Sequence, residues 1–437
     1  MKSRIPLQLL LPLTLPIALG LAPPSVSLED AVQQALERNP NLTRAHAASE
    51  AASWKPLEAI SVNLPRLGLS ATHYFDIKYQ LIDIDLGAGP VTFPTIYPKT
   101  FASLDALWTV FDGLQGWNSF QAARDTRDAA QLEESRARLQ VESNTKLAFY
   151  KALSAQQLAD VAAQNVKTLQ DHAERVEQIH KQGKATRYDS LRVEVQLSEA
   201  IPEEAAARDN VVLTRQALDL EMGLDEKERD GRPLKGVLPE PVESRLPSDL
   251  KAEPQSRADV QALVSRAQAA THLRASSYGA FLPKVTFIGQ KLYYNNVGYE
   301  VVDTSRYRDA YSLGVTLTWS FFDGGATIAR NRQAVHEHDA AEAAAAAALQ
   351  KIPNDIELWK RRYRYNAKLY QARKQAIAAA EESVRLARLG NQAGTRTSTD
   401  VLDSELDLFR ARAGAVRAQL DAAESWINLE LSLGRKL

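Results

Sequence analysis

Trp108-Thr109-Val110-Phe111-Asp112-Gly113 and Trp319-Ser320-Phe321-Phe322-Asp323-Gly324 are one motif used twice, at an offset of 322 − 111 = 211. Each copy closes a stretch of alternating apolar residues. Each opens a long alanine-rich run that ends at a glycine turn. The same offset carries Gly183 onto Gly394, Thr186 onto Thr397, Asp189 onto Asp400 and Met222-Gly223 onto Leu433-Gly434. The chain is a duplication, and a repeat has to be recognised before a fold is assigned.

Upstream of each motif the period is two. Leu67, Leu69, Ala71, His73, Phe75 and Ile77 share one parity, followed by a loop dense in Gly and Pro, and then Ala102, Leu104, Ala106, Trp108 and Val110 alternate. In the second copy Val285, Phe287 and Tyr293 precede Tyr311, Leu313, Val315, Leu317, Trp319 and Phe321. Each repeat therefore holds two long strands joined by a loop, over 65–111 and 283–322. Further upstream the offset is 218, from Leu42 to Val260 and from Pro65 to Pro283, so the first loop is longer by 218 − 211 = 7 residues. Loops absorb insertions and strands do not.

Downstream, Gly113 to Gln182 reads as one amphipathic helix, ~100 Å long at 1.5 Å per residue. Gly325 to Gln392 matches it, with a kink or unwinding expected at Pro353. Helices of this length project from a small sheet. The strands fit either a soluble sheet packed on helices or membrane-crossing strands of ~9–11 residues, and the projecting helices argue for the second. Both long helices end in glycine turns, Gly183-Lys184-Ala185-Thr186 and Gly394-Thr395-Arg396-Thr397, and restart through a Thr-x-x-Asp capping pattern. The return helices are about half as long, and a short helix of each repeat completes the height by end-to-end stacking. Ser27 with Asp30 starts the first short helix, and Asn39-Pro40 interrupts it.

The totals exclude several classes. Acidic and basic residues nearly cancel, at a net charge of −1, and cysteine is absent. No nucleic-acid footprint, disulfide or thiol chemistry is available. Lys2 and Arg4 precede an apolar stretch to Ala22, which reads as a signal peptide over 1–22, with a single anchor helix as the alternative. The remaining organisation is a first repeat over 23–224, an inter-repeat linker over 225–254 and a second repeat over 255–437. His336-Glu337-His338 splits its histidines around a helix, so no metal site is expected. His172 and His180 read as surface residues, and Arg361-Arg362-Tyr363-Arg364 as a solvated face. No phosphate loop, dinucleotide fingerprint or nucleophile elbow occurs, so neither an enzyme nor a cofactor is indicated.

Four strands cannot close a barrel, and an open edge in lipid leaves unsatisfied backbone groups. Membrane-crossing strands here therefore require an oligomer that pools them. With that architecture the chain resembles the TolC-like outer-membrane factors. The resemblance rests on the Phe-Asp-Gly joints (Phe111, Asp112, Gly113; Phe322, Asp323, Gly324) and on Leu64-Pro65 and Leu282-Pro283. It rests also on the terminal Leu-Gly marks, and above all on Gly394-Thr395-Arg396-Thr397 followed by Asp400-Val401-Leu402-Asp403. It implies a mixed α and β fold: a homotrimer with a twelve-stranded transmembrane β-barrel in outer-membrane lipid, continued by a coiled-coil-like helical barrel in the periplasm. The linker would lie at an equatorial collar. The function implied is the exit duct of a tripartite efflux pump or type I secretion system, partnered by a periplasmic adaptor and an inner-membrane transporter. The alternative is a barrel-anchored structural protein or a periplasmic tether without transport. The resemblance places a cation-attracting gate at Asp400, Asp403, Arg396 and Asp189. It places adaptor docking at the tip turns Gly183, Lys184, Ala185, Thr186, Gly394, Thr395 and Thr397. Asn391 stands where the family usually has tyrosine. Helix capping is the competing role for Asp189 and Asp400, and a solvated face for Asp403.

Overall fold

The computed structural model describes residues 25–76, 81–85, 87, 89–94, 98–182, 186–229, 231–247, 250, 253, 256–295 and 307–435. The expected signal segment 1–22 lies outside them, as do Ile77, Gly183, Lys184 and Ala185. By its packing the described chain forms two bodies: residues 25–38, 144–241 and 369–423 in one, and 39–143, 242–368 and 424–435 in the other.

The second body holds the sheet. Strands β1 (Arg66–His73), β4 (Thr100–Phe111), β5 (Lys284–Asn295) and β6 (Arg308–Thr318) lie in that order, all antiparallel. The β4–β5 pairing joins the hairpins of the two repeats, with Trp108 opposite Phe287 and Asp105 opposite Gln290. Because strand side chains alternate, the register sorts the two faces. Leu67, Leu69, Leu104, Trp108, Leu313, Val315 and Leu317 line one face and are exposed. The opposite face carries Leu107 and Ile288 but also a polar network: the Ser70 and Ser103 hydroxyls meet at 2.9 Å, and Asp105 accepts from Ser103 Oγ at 2.6 Å and from Gln290 Nε2 at 2.7 Å. Among the described residues β1 and β6 have no partner on their outer edges. β6 stops at Thr318, four positions short of the repeat equivalent of Phe111. The reason is positional: β5 begins opposite Thr318, so beyond it the edge strand has no partner in this chain.

The stretch between β1 and β4, read as loop, contains a separate hairpin, β2 (Leu81–Asp85) with β3 (Pro90–Pro94). Asp85 Oδ1 accepts from Gly87 N at 2.8 Å, which closes the turn. The density of Gly and Pro masks the short alternation of Asp83, Ile84 and Val91.

The joints after β4 and β6 are built alike. Asp112 Oδ2 accepts from Gly116 N at 2.8 Å, and Asp323 Oδ2 accepts from Thr327 N at 2.9 Å. These bonds satisfy helix-start donors of α4 (Gln115–Lys181) and α7 (Ala326–Gln392), each of 67 residues. Gly113 has φ +72°, and a Cβ there would collide with the Gly279 carbonyl, so both conformation and space require glycine. Trp108 Nε1 donates to Asn63 O at 2.9 Å and Trp319 Nε1 to Phe281 O at 3.1 Å, again at equivalent positions. α7 stays helical through Pro353, so the chain does not unwind there, with Ile352 and Ile356 buried on either side.

The return helices are α5 (Arg187–Glu221) and α8 (Ser398–Leu433). The short helices are α1 (Leu28–Arg38), α2 (Pro40–Ser53), α3 (Lys55–Ser61) and α6 (Ala258–Gly279). Ser27 and Asp30 form the reciprocal bonds of a capping box at α1. Ser256 Oγ, just before α6, donates to Leu433 O at 2.5 Å, which sets the end of α8 against the start of α6.

In the first body, Phe149, Leu153, Leu218, Met222, Val26 and Leu238 pack as a core. A fully buried Leu or Phe contributes about 1.5–3 kcal/mol. Inter-repeat residues join this core: Val26 bridges Leu234 in parallel, with Val26 N to Pro233 O and Lys235 N to Val26 O both at 2.9 Å. A second apolar layer, Val166, Leu169, Val176, Val193, Ala200 and Leu402, binds α4, α5 and α8 together and positions the helix-end turns.

Candidate functional site at the helix-end turns

Thr186 caps α5. Its Oγ1 accepts from Asp189 N at 3.2 Å, and Asp189 Oδ2 accepts from Thr186 N at 3.0 Å and Thr186 Oγ1 at 2.7 Å. Thr397 and Asp400 repeat the arrangement at α8, at 3.1, 2.8 and 2.9 Å. Two donors from Thr397, its backbone N–H and its hydroxyl, hold the Asp400 carboxyl below the usual carboxylate range, with the nearby positive charge of Arg396 adding to the effect. Both aspartates therefore act as caps within the chain.

The end of α7 is closed by a left-handed residue, Gly394, at φ +75°. Thr395 N donates to Gly390 O at 2.8 Å and Gly394 N to Asn391 O at 3.1 Å. Asn391 Nδ2 reaches across the turn to Arg396 O at 3.0 Å. Asn391 thus ties its own turn.

One turn into α8, Asp403 is exposed and accepts from Arg192 Nη2 of α5 at 3.0 Å. On the other side of α8, Glu405 is buried, 4% exposed. Its Oε1 accepts from Arg388 Nη2 of α7 at 2.7 Å and from Arg388 Nε at 3.1 Å. Its Oε2 lies 3.3 Å from His172 Nδ1 of α4, an ion-pair distance with the ring N–H off the line of the bond. His172 Nε2 pairs with Ser398 Oγ at 3.0 Å. Burial pushes the Glu405 carboxyl up; the close approach of His172 and the hydrogen bonds from the Arg388 guanidinium outweigh it and leave the group below its ordinary value.

His172, read from sequence as a surface residue, is therefore a correction: it is 4% exposed, enclosed by α8 and the apolar layer beside it, and His180 is half-buried. The asymmetry arises because eight residues on a helix of about 3.6 residues per turn rotate the side chain by about 80°, so the two histidines do not share a face. Arg192, Arg388, His172 and Glu405 escaped the sequence reading. Only Arg192 carried a signal there, since it occupies the repeat position of Asp403.

Elsewhere, Arg361 pairs with Glu357 at 2.6 Å and Arg362 lies 4.9 Å over Trp359, but Tyr363, read from sequence as part of a solvated face, is a correction: it is 3% exposed and its hydroxyl donates to Val242 O at 3.2 Å, because its side of the helix packs on the inter-repeat segment. Among the described residues no group of three His, Asp or Glu side chains has metal-holding geometry, and no helix is long and apolar enough to cross a membrane.

Comparison with known proteins agrees with this architecture. The family model described as outer membrane efflux protein matches residues 31–224 and 250–435. Outer membrane protein TolC of Vibrio cholerae is 23% identical over 433 residues, covering 97% of this chain and 95% of that one. Outer membrane protein TolC of Escherichia coli is 23% identical over 439 residues, covering 96% and 86%. The crystal structure of the outer membrane protein VceC from Vibrio cholerae superposes with a TM-score of 0.79 at 20% identity, covering 94% of this chain and 96% of that one. With that family model matching most of the chain in two stretches, one in each repeat, the chain belongs to the outer membrane efflux protein family.

Proposed function

We propose that the paired helix-end turns are the gate of an outer-membrane exit duct. Three copies of the chain pool their sheets into a twelve-stranded barrel. In lipid each unsatisfied edge group costs several kcal/mol, and the open edges β1 and β6 are relieved only by neighbouring copies. The exposed apolar face of the sheet meets lipid and the Ser70–Asp105–Gln290 face meets water. The duct is passive, carries no catalytic step, and receives cargo through a periplasmic adaptor from an inner-membrane transporter. The adaptor engages the turns around Thr186, Gly394, Thr395 and Thr397.

The observation that carries the gate is the bond between Arg192 and Asp403, which fastens the two return helices beside both capped turns. Asp403 faces solvent, and three copies form an acidic ring that favours cations. Asp400 lies one turn nearer the tip and adds to that field while capping its helix, with the charge of Arg396 near it, and Asp189 caps α5 in the same way. Conductance of the purified protein in planar bilayers tests this. Asp403→Asn should lower cation preference, and Arg192→Ala should raise conductance. Unchanged conductance and selectivity in both variants would remove the gate from these residues.

A further inference from the structure

The first body contains a cavity of about 540 Å³ bordered by α4, α5, α7 and α8, apart from the capped turns and from the Arg192–Asp403 bond. That volume suits a drug-sized ligand. Its floor is apolar, with Leu169, Ala200 and Ala413 buried and Leu406 and Phe409 half-buried. Its sides carry opposite charge. α5 supplies Glu199 and Glu203, one helical turn apart; α7 supplies Arg373, and α8 supplies Arg410 and Arg417, which share a face. Three side chains there stand without partners. Asn165 of α4 is 9% exposed, yet among the described residues its amide makes no hydrogen bond. Buried polar groups are normally paired, and an exception calls for a cause. Glu203 and Arg373 likewise make no hydrogen bond or ion pair among the described residues. Two of the other charges are weakly engaged: Glu199 accepts from Gln196 Nε2 at 3.4 Å, and Arg410 lies 3.9 Å from Asp407 on its own helix. Gly414 gives the unpaired cation its place, since a Cβ there would stand 3.1 Å from Arg373 Nε. Glycine inside a helix is unfavourable, and here it lets the guanidinium lie against the α8 backbone.

We propose that this cavity is a binding site for a zwitterion with an apolar body, of short-peptide or drug size. Opposite charges that line one cavity without pairing are matched by a ligand that carries both. Arg373 takes the ligand's carboxylate, for which its planar fork is suited, within the field of Arg410 and Arg417. Glu203 and Glu199 take the ammonium. The apolar body lies over Leu406 and Phe409. The Asn165 amide, both donor and acceptor, meets a peptide or other amide group between the two charges. A ligand with only one charge covers either Glu203 or Arg373 without a counter-charge, which costs binding free energy. The site stands apart from the gate and does not depend on it.

Ligand-observed fluorine NMR on the full chain in detergent, against detergent alone, tests this. The probe is para-fluorophenylalanyl-leucine, and its N-acetylated and C-amidated forms are the controls that lack one charge. The fluorine line of the zwitterion should broaden with added protein at millimolar concentration. Each control should bind roughly tenfold more weakly, through loss of one charge-assisted bond. Arg373→Gln should abolish the advantage of the zwitterion over the amidated form, and Glu203→Gln its advantage over the acetylated form. Both positions are exposed, so neither change disturbs the packing. Asn165→Leu should raise the melting temperature, because an unpaired buried amide is removed, and still weaken binding of all three forms. Equal broadening by the three forms, or a zwitterion preference that survives both Arg373→Gln and Glu203→Gln, overturns the site. No broadening by any form assigns the cavity to water alone and overturns it as well. Asp403→Asn should leave the broadening unchanged, so failure of this site and failure of the gate are read separately.

Discussion

Arg192 and Asp403, joined at 3.0 Å, occupy the same position of the two repeats, 211 residues apart. The duplication brings equivalent turns of α5 and α8 face to face, and the shared position holds a cation in one repeat and an anion in the other. Identical charges there would repel; opposite ones hold the return helices together.

Exchanging that pair tests its directionality. Both side chains are more than a third exposed, at 38% and 56%, so its contribution to stability is about 0–1 kcal/mol. Arg192→Asp should leave the melting temperature nearly unchanged yet raise bilayer conductance. The double variant Arg192→Asp with Asp403→Arg should return conductance towards wild type. A double variant as leaky as the single one would show that the bond itself is not what holds the tip.

The cap at Thr397 has a measurable pH signature. Asp400 has its pKa depressed in the folded chain by the backbone and hydroxyl bonds from Thr397. Its contribution is therefore present above the ordinary aspartate value of 3.8 and lost as pH falls through the lower folded value. Thr397→Ala should cost about 1 kcal/mol at neutral pH. Amide exchange at the start of α8 should speed up accordingly, and the penalty should shrink in strong acid, where the cap is already lost.

Asn391→Ala removes the bond from Nδ2 to Arg396 O across the α7 turn. The expected loss is about 0.5–1.5 kcal/mol, confined to the turn. Amide exchange over 390–397 should accelerate, with the sheet unaffected. Protection unchanged in that window would assign the turn to Gly394 alone.

The two joints should respond unequally to alanine. Gly113 and Gly324 both have positive φ, at +72° and +70°, and a left-handed non-glycine residue costs roughly 1–2 kcal/mol. At Gly113 a Cβ also strikes the Gly279 backbone, whereas around Gly324 nothing lies within 4 Å. Gly113→Ala should therefore lower the yield of heat-stable oligomer far more than Gly324→Ala. Equal yields would argue that the Gly279 backbone moves aside freely.

Local chemistry was legible in the residues themselves. Alternation set the strands, the 211-residue offset set the repeat, and Thr-x-x-Asp set both caps, because each depends only on neighbours along the chain. The β2–β3 hairpin was hidden since its turn chemistry and its strands overlap in a stretch dominated by Gly and Pro. Helical spacing shows which residues share a face, but not which face meets another helix. His172 and His180 look alike in the sequence, eight positions apart, and only the packing of α4 against α8 buries the first more deeply than the second. Glu405 resembles any of the carboxylates of α8 until Arg388 and His172 arrive from elements far away in the chain. The Phe-Asp-Gly joints and glycine turns were determined by sequence because backbone conformation is local. The ion pairs that bind the return helices were decided by tertiary structure, because charge pairing depends on distance in space.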